Sequence, residues 1–294
     1  MSERSFILIG PGNLGLTTAS LLHERGFTCQ EVISRTGDYT ERIAGWLGED
    51  MPVAIWEEWE PQPTEFVLVA TPDDTLERLG VQLAAKYHEL AGRKISFFHF
   101  SGIQSSEEFS PLKEHGFLVS SIHPLQTVPS VRIGRTALLG SNWAIEGDAE
   151  PLGEELIATL DGTVIELDAE HKVAYHLAAV FASNLLVALE GMAADIASSA
   201  GISQERFLEI FAPLIRHSMN NILEHGPDSA ITGPLKRADT STVQKHLNWM
   251  KEADQKYLTV YTELSHYLME ILLAENTISL QEMDELTKLL DELS

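Results

Sequence analysis

The spacing of apolar positions changes character once along this chain. Up to residue 167, short apolar runs alternate with helical patterns. Strands are predicted at Phe6–Ile9, Thr28–Ile33, Val53–Trp56, Phe66–Ala70, Ile95–Phe98 and Phe117–Ser121. Unbroken apolar runs of this length suit strands covered on both faces. Helical patterns fall between several of them, notably over Asp74–Leu90. This alternation predicts a parallel, doubly wound α/β sheet. An extended pair near Thr136–Leu139 and Trp143–Ile145 follows, then a helix over Pro151–Leu160 and a strand over Val164–Leu167.

From Asp168 onward the pattern is helical throughout. Asp168–Ser199 reads as one long helix ended by Gly201. Ser203 starts the next as an N-cap, with Glu205 in its first turn, and that helix stops at Gly226-Pro227. Further helices are expected over Thr240–Ala253, Gln255–Ala274 and Ser279–Leu293. The expected organisation is an α/β domain over residues 1–167 and an all-helical domain over residues 168–294.

The first predicted strand runs into Gly10, Gly12 and Gly15, and Thr17–Arg25 continues as a helix. This G-x-G-x-x-G spacing, placed between strand and helix, is the fingerprint of a dinucleotide-binding turn. A pyrophosphate there meets free N–H groups and the positive end of the helix dipole. Contacts are expected from Gly10, Gly12, Asn13, Leu14 and Gly15. The second strand ends in Ser34-Arg35-Thr36. Enzymes preferring NAD usually carry an acid about 20 residues past the glycines, on the ribose 2′-hydroxyl. Arg35, flanked by two hydroxyls, instead suits a 2′-phosphate and points to NADP. A solvated loop Arg is the alternative reading.

Composition narrows the partners. The 294 residues carry a formal net charge of −24, which argues against nucleic acid and anionic membrane. No run of 18 or more apolar residues suggests a membrane span. Met1-Ser-Glu-Arg4 leads straight into a strand, so a signal peptide is not expected, and the lone Cys29 fits a reducing cytoplasm. The histidines show no metal-ligand spacing, and neither a P-loop nor a nucleophile elbow occurs.

Chemistry-bearing residues gather at predicted strand ends. Ala70-Thr71-Pro72 closes one strand where ligands of open sheets bind, and Asp73 or Asp74 is expected to cap the helix after it. His99 and Ser101, with Gly102, close the next, and His123-Pro124 the one after. Ala70, Thr71, Pro72 and Ser101 are therefore cofactor-contact candidates. In the long helix Lys172 and His176 are neighbours at helical spacing, and Asn184 is offset from His176 by roughly 80°. A buried Asn there would be a structural clamp or a ligand contact. Arg237, beyond Thr232-Gly-Pro, is placed to grip a carboxylate or phosphate, or else to pair with Asp239.

Taken together, these motifs resemble proteins with a Rossmann-like NADP-binding domain and a C-terminal helical domain of unknown function, number 2520. The resemblance rests on Ile9-Gly-Pro-Gly-Asn-Leu-Gly15, Ala70-Thr-Pro-Asp73, His99-Phe-Ser-Gly102, Ser121-Ile-His-Pro-Leu-Gln126, Ala182-Ser-Asn184 and Thr232-Gly-Pro-Leu-Lys-Arg-Ala-Asp239. More distantly the chain is similar to pyrroline-carboxylate reductase, ketopantoate reductase and the β-hydroxyacid dehydrogenases. The resemblance implies a helical domain of the 6-phosphogluconate-dehydrogenase C-terminal type that builds a homodimer. It also implies oxidation or reduction with NADP, and the leading reading is a reductase of a small C=O or C=N substrate; another phosphate-bearing redox cofactor, such as a deazaflavin, is the alternative. On that reading Asn184 and His123 hold substrate, His176 supplies or relays a proton, and Arg237 pairs with an anionic group. One departure stands out. The β-hydroxyacid dehydrogenases carry a Lys four residues before the Asn, and here that place holds Val180. His176, Lys172 or His123 would have to replace it; otherwise the protein is a non-catalytic NADP-binding sensor or partner.

Overall fold

The computed structural model describes residues 4–292. Leu293, at the end of the last expected helix, lies outside the described residues. The elements of the first unit are β1 Ser5–Ile9, α1 Asn13–Glu24, β2 Thr28–Ser34, α2 Thr40–Leu47, β3 Val53–Ile55, β4 Phe66–Val69, α3 Leu76–Tyr87, β5 Ser96–His99, α4 Ser110–Glu114, β6 Leu118–Pro124, α5 Val131–Ala137, β7 Asn142–Gly147, α6 Glu150–Thr159 and β8 Thr163–Glu166. The strands form one eight-stranded sheet in the order β3-β2-β1-β4-β5-β6-β7-β8. All pairs are parallel except β6 with β7. The chain reverses direction across the sheet between β1 and β4, so the carboxyl ends of those two strands open a crevice.

Strand alternation sorts the core. Phe6 and Leu8 face one layer with Leu16, Leu22, Ile43 and Leu156, and Ile7 and Ile9 face the other with Leu79, Leu83 and Tyr87. Helices α1, α2, α5 and α6 thus cover one face, and α3 and α4 the other. Phe6 stacks on Phe66 across β1 and β4, and Tyr87 meets Phe97 edge-on.

Two local expectations fail. Thr136–Leu139 is not extended; it closes α5, which starts where the Ser130 hydroxyl accepts a hydrogen bond from Ile133 N–H. A Cβ on Gly134 would fall 2.8 Å from Thr17 Oγ1, so this glycine lets α5 press against α1. Nor does Asp73 or Asp74 cap α3. That helix has no side-chain cap, and the Thr75 hydroxyl donates instead to Pro72 O.

After β8 a 3₁₀ turn, Ala169–His171, leads into α7 Lys172–Val180, a π-helical turn Phe181–Leu185 and α8 Leu186–Ser199. The chain divides into two compact units, one ending at Leu186 and the other starting at Val187. The pattern change at Asp168 therefore precedes the division, because the start of the long helix packs on the sheet through buried Lys172. The second unit holds the remainder of the helix with α9 Gln204–His225, α10 Pro227–Ala230, α11 Thr240–Ala253, α12 Gln255–Ala274 and α13 Leu280–Asp291. Its core is built from α11, α12 and α13 around Val243, Leu247, Leu258, Met269, Leu286 and Leu290. Ser279 and Glu282 close a reciprocal capping box at the start of α13.

Ala169–Ser199 is long and apolar enough to cross a membrane by length and composition. Leu177, Phe181 and Val187 on it are more than half exposed, as are Leu208, Leu214 and Leu223 on α9.

Candidate functional site

The glycine turn is rigid where it must be and open where a ligand would approach. Gly10 has φ of +92°, and a Cβ there would lie 2.5 Å from Ala70 O. A Cβ on Gly15 would lie 2.5 Å from Gly10 O and 2.7 Å from Ala70 Cβ. Both glycines thus allow the turn after β1 to lock against the end of β4. Nothing lies within 4 Å of a Cβ built on Gly12, so its backbone faces free space at the start of α1. Gly10 N–H donates to Ile33 O at 2.9 Å and Ala70 N–H to Ile9 O at 2.8 Å, tying the three strand ends together. Asn13 is held from two sides, donating to Pro129 O at 2.8 Å and accepting from Arg42.

A cleft of about 980 Å³ opens over this turn, a volume sufficient for a dinucleotide. Gly10, Gly12, Asn13, Leu14, Gly15, Ser34, Arg35, Ala70, Thr71 and Pro72 all line it. Thr36 and Ser101 do not. Thr36 offers its carbonyl to the buried Ser34 hydroxyl. Ser101 Oγ instead accepts from Gln104 N–H at 2.9 Å and Ile103 N–H at 3.3 Å, fixing the turn after β5. The cleft also takes in Tyr39, Trp56, Arg78, Lys86 and Phe100, which sequence reasoning missed. No motif marks them; α3 brings in Arg78 and Lys86, the β3 end Trp56, the turn before α2 Tyr39, and the end of β5 Phe100. Arg35 and Arg78 supply cations in a strongly acidic chain, with Glu57 and Asp73 on the same walls.

Phe100 lines the cleft, and two residues further Gly102 meets a second cluster. A Cβ on Gly102 would lie 2.7 Å from His176 Nδ1 and 2.8 Å from His123 Nε2. The two imidazoles meet edge-to-face, with ring centres 5.9 Å apart. His123 Nδ1 is 3.0 Å from Tyr175 Oη. His176 Nδ1 is buried and has no hydrogen-bond partner. Burial first, then His176 and Lys172, hold His123 down to about 4, so it is neutral at pH 7. Burial pushes the Tyr175 phenol up to about 12.

Lys172 lies beneath this pair and is 1% exposed. Its ammonium donates to Ser121 Oγ at 2.7 Å and to Ser101 O at 3.1 Å, and Ser121 donates to the same carbonyl at 2.9 Å. Burial lowers Lys172 to about 8, against the opposing pull of Glu146 and Asp73. His99 is structural. It is fully buried, lies 3.0 Å from Ser105 O through Nε2, accepts from Ser101 N–H through Nδ1, and is held near 3 by burial and by Lys172. Its place at a strand end was legible in the sequence, but not that the loop after β5 folds over it.

The remaining candidates are placed differently. Asn184 is exposed in the π-helical turn. That turn holds an extra residue, so angles drawn at 3.6 residues per turn fail beyond Phe181. Arg237 is exposed in the helical unit, where its charge helps hold Asp239 ionised, and Asp239 caps α11 by accepting from Thr242 N–H at 3.0 Å.

Residues 141–268 match a domain of unknown function, DUF2520. No curated protein matches the sequence. Among solved structures, a provisionally named NADP oxidoreductase from Bacteroides fragilis is similar at 22% identity, with a TM-score of 0.72, covering 91% of this chain and 98% of its own. A Thermotoga maritima protein is similar at 24% identity and a TM-score of 0.67, covering 92% and 99%. A reductive aminase from Aspergillus terreus, solved with NADPH and ethyl levulinate, is similar at 16% identity and a TM-score of 0.59, covering 99% and 93%. These likenesses establish the fold: a mostly parallel Rossmann-like sheet followed by a helical region.

Proposed function

We propose that this chain, whose residues 141–268 carry the DUF2520 domain, is an NADP-dependent oxidoreductase acting on a small C=O or C=N substrate. The observation that carries the reading is the closeness along the chain of two features. A dinucleotide-sized cleft has Arg35 and Phe100 on its wall, and two residues along the chain from Phe100, at Gly102, two imidazoles converge. Gly10, Gly12 and Gly15 would cradle the pyrophosphate, and Arg35, beside Ser34 and Thr36, the 2′-phosphate. When bound, NADPH supplies a hydride. His123 and His176 would meet the reacting atom, and Asn184 would help to hold the substrate. Neighbouring structures bound to NADPH or NADP support the cofactor.

The exposed apolar residues of the long helix and α9 argue for a cover, and a homodimer is the proposed one. Lipid is disfavoured for the long helix because its first turn carries Lys172 into the sheet. Cys29 is free and buried, with its thiol pushed up to about 12 by burial, which suits a cytoplasmic protein without disulfides. A non-catalytic NADP-binding sensor is the competing reading, favoured by Val180 where related dehydrogenases carry Lys. Calorimetric titration with NADPH and NADH, followed by a screen of keto acids, aldehydes and imines for NADPH oxidation, tests both. Tight NADPH binding with turnover supports the enzyme. Binding without any turnover supports the sensor. Equal or tighter NADH binding overturns the NADP assignment.

A further inference from the structure

The proposed function leaves open whether the reacting bond is C=O or C=N and which group provides the proton. Three features of the cluster bear on this. The first is the tautomer of His123. Tyr175 keeps its proton across the ordinary pH range, and an imidazole nitrogen is a far better acceptor than a phenol oxygen. The 3.0 Å contact is therefore assigned as Tyr175 O–H donating to His123 Nδ1. The proton of neutral His123 then sits on Nε2, the nitrogen pressed against Gly102. The second feature is His176 Nδ1, which is buried, unpartnered, and within 3 Å of the same Cβ position. A buried polar atom left unpaired costs free energy that a ligand atom can recover. The third is the Lys172 ammonium. Two of its three N–H donors go to Ser101 and Ser121 and the side chain is buried, so it acts on the site through its field.

Resting on the oxidoreductase reading, we propose that Tyr175, acting through His123, is the proton source for a substrate carbonyl oxygen seated beside Gly102, so that the reacting bond is C=O. The chemistry selects this over an imine. When the carbonyl carbon accepts hydride from bound NADPH, the C=O π electrons move to oxygen. That oxygen takes the proton from His123 Nε2 as Nδ1 takes the proton of Tyr175 Oη. The imidazole stays neutral, and the phenolate is a far weaker base than the alkoxide it has replaced. Reset consumes one proton from water: Nδ1 returns its proton to the phenolate and Nε2 is reprotonated as the alcohol leaves. A protonated imine takes hydride with no proton from the protein, which would leave the Tyr175–His123 pair without a task. Such a cation would also face the Lys172 ammonium, whereas a developing alkoxide is stabilised by it. The product hydroxyl can in turn donate to His176 Nδ1. The titratable groups around this pair are His176 and Lys172 from α7 and His99 from β5, with Glu146 and Asp73 acting on Lys172.

Two measurements test this. Nitrogen NMR of histidine-labelled protein, with His123→Gln to assign the signal, reads the tautomer without any cofactor. The expected result is His123 protonated at Nε2 and neutral at pH 7, with Tyr175→Phe perturbing its Nδ1 resonance. Protonation at Nδ1, or a doubly protonated ring at pH 7, overturns the relay. Second, ketones, aldehydes and cyclic imines are compared as oxidants of NADPH. Turnover of carbonyls is expected, with Tyr175→Phe lowering kcat by roughly 10- to 100-fold while KM and NADPH affinity hold. NADPH binding with turnover of imines alone, or of nothing, overturns the proposal, as does a carbonyl kcat indifferent to Tyr175→Phe. Failure to bind NADPH would overturn the functional reading instead, and the tautomer would still judge the relay.

Discussion

Replacing Gly102 by Ala should damage the imidazole cluster while sparing the cofactor cleft. The added Cβ would fall 2.7 Å from His176 Nδ1, 2.8 Å from His123 Nε2 and 3.0 Å from His123 Cδ2. Ordinary contact begins near 3.4 Å, so both rings must retreat by up to about 0.7 Å. The His123 ring and the Gly102 backbone do not move freely. His123 is tied to Tyr175, and the Gly102 backbone is anchored by the bonds of Ser101 O to Lys172 and Ser121. Overpacking of this kind typically costs about 1–3 kcal/mol. A shift of half an ångström or more at reacting groups is also enough to lower turnover by roughly an order of magnitude or more. The assays are thermal unfolding, NADPH titration and steady-state kinetics on an active carbonyl. The expected outcome is a melting temperature lower by several degrees, unchanged NADPH affinity and a lower kcat. A variant as stable and as active as the wild type would refute the placement of the imidazoles against Gly102. Loss of NADPH affinity would refute the separation of cleft and cluster.

Arg35→Asp should remove a charge-assisted contact and add repulsion, moving the NADPH-to-NADH affinity ratio toward NADH by about 1.5–3 kcal/mol; an unchanged ratio would return Arg35 to a solvated loop. Lys172 sits at about 8 in the folded chain and at its ordinary 10.5 when unfolded. The unfolded chain therefore holds more proton between those values, so stability should rise with pH across the window, by at most about 3 kcal/mol. Comparing denaturant unfolding of wild type and Lys172→Met at pH 7.5 and 10.5 isolates this effect, and identical pH dependence would count against a buried ammonium. Sedimentation should find twice the 32.5 kDa chain mass at micromolar concentration, with Phe181→Asp shifting it toward one; a wild-type monomer would sink the dimer.

Much of the fold was legible because local rules and the global fold agreed. Apolar runs bounded by glycine and proline marked β1, β2, β4 and β5 to within a residue or so, since a strand covered on both faces has little choice of composition. The glycine turn was legible for a stronger reason. Positive φ at Gly10, and the approach of Gly10 and Gly15 to Ala70, exclude a side chain, so the backbone requirement is written into residue type. Arg35 could be placed by counting from that turn. Residues 136–139 carry no mark of the helix that begins six residues earlier, at the Ser130 cap.

What the sequence by itself determined, then, was the class of fold, the dinucleotide turn and the strand ends where polar side chains gather. Only the tertiary structure decided which side chains share a site. It sealed His99 beneath the loop after β5 and placed His123 and His176, more than fifty residues apart, against one glycine. It turned Lys172 into the sheet and gave Tyr175 a partner. The π-helical turn broke the helical count by which Asn184 was related to His176. The physical reason is the same in each case. A repeating pattern records which face of an element is apolar, whereas a contact between elements depends on loop paths and local departures from ideal geometry that no period encodes.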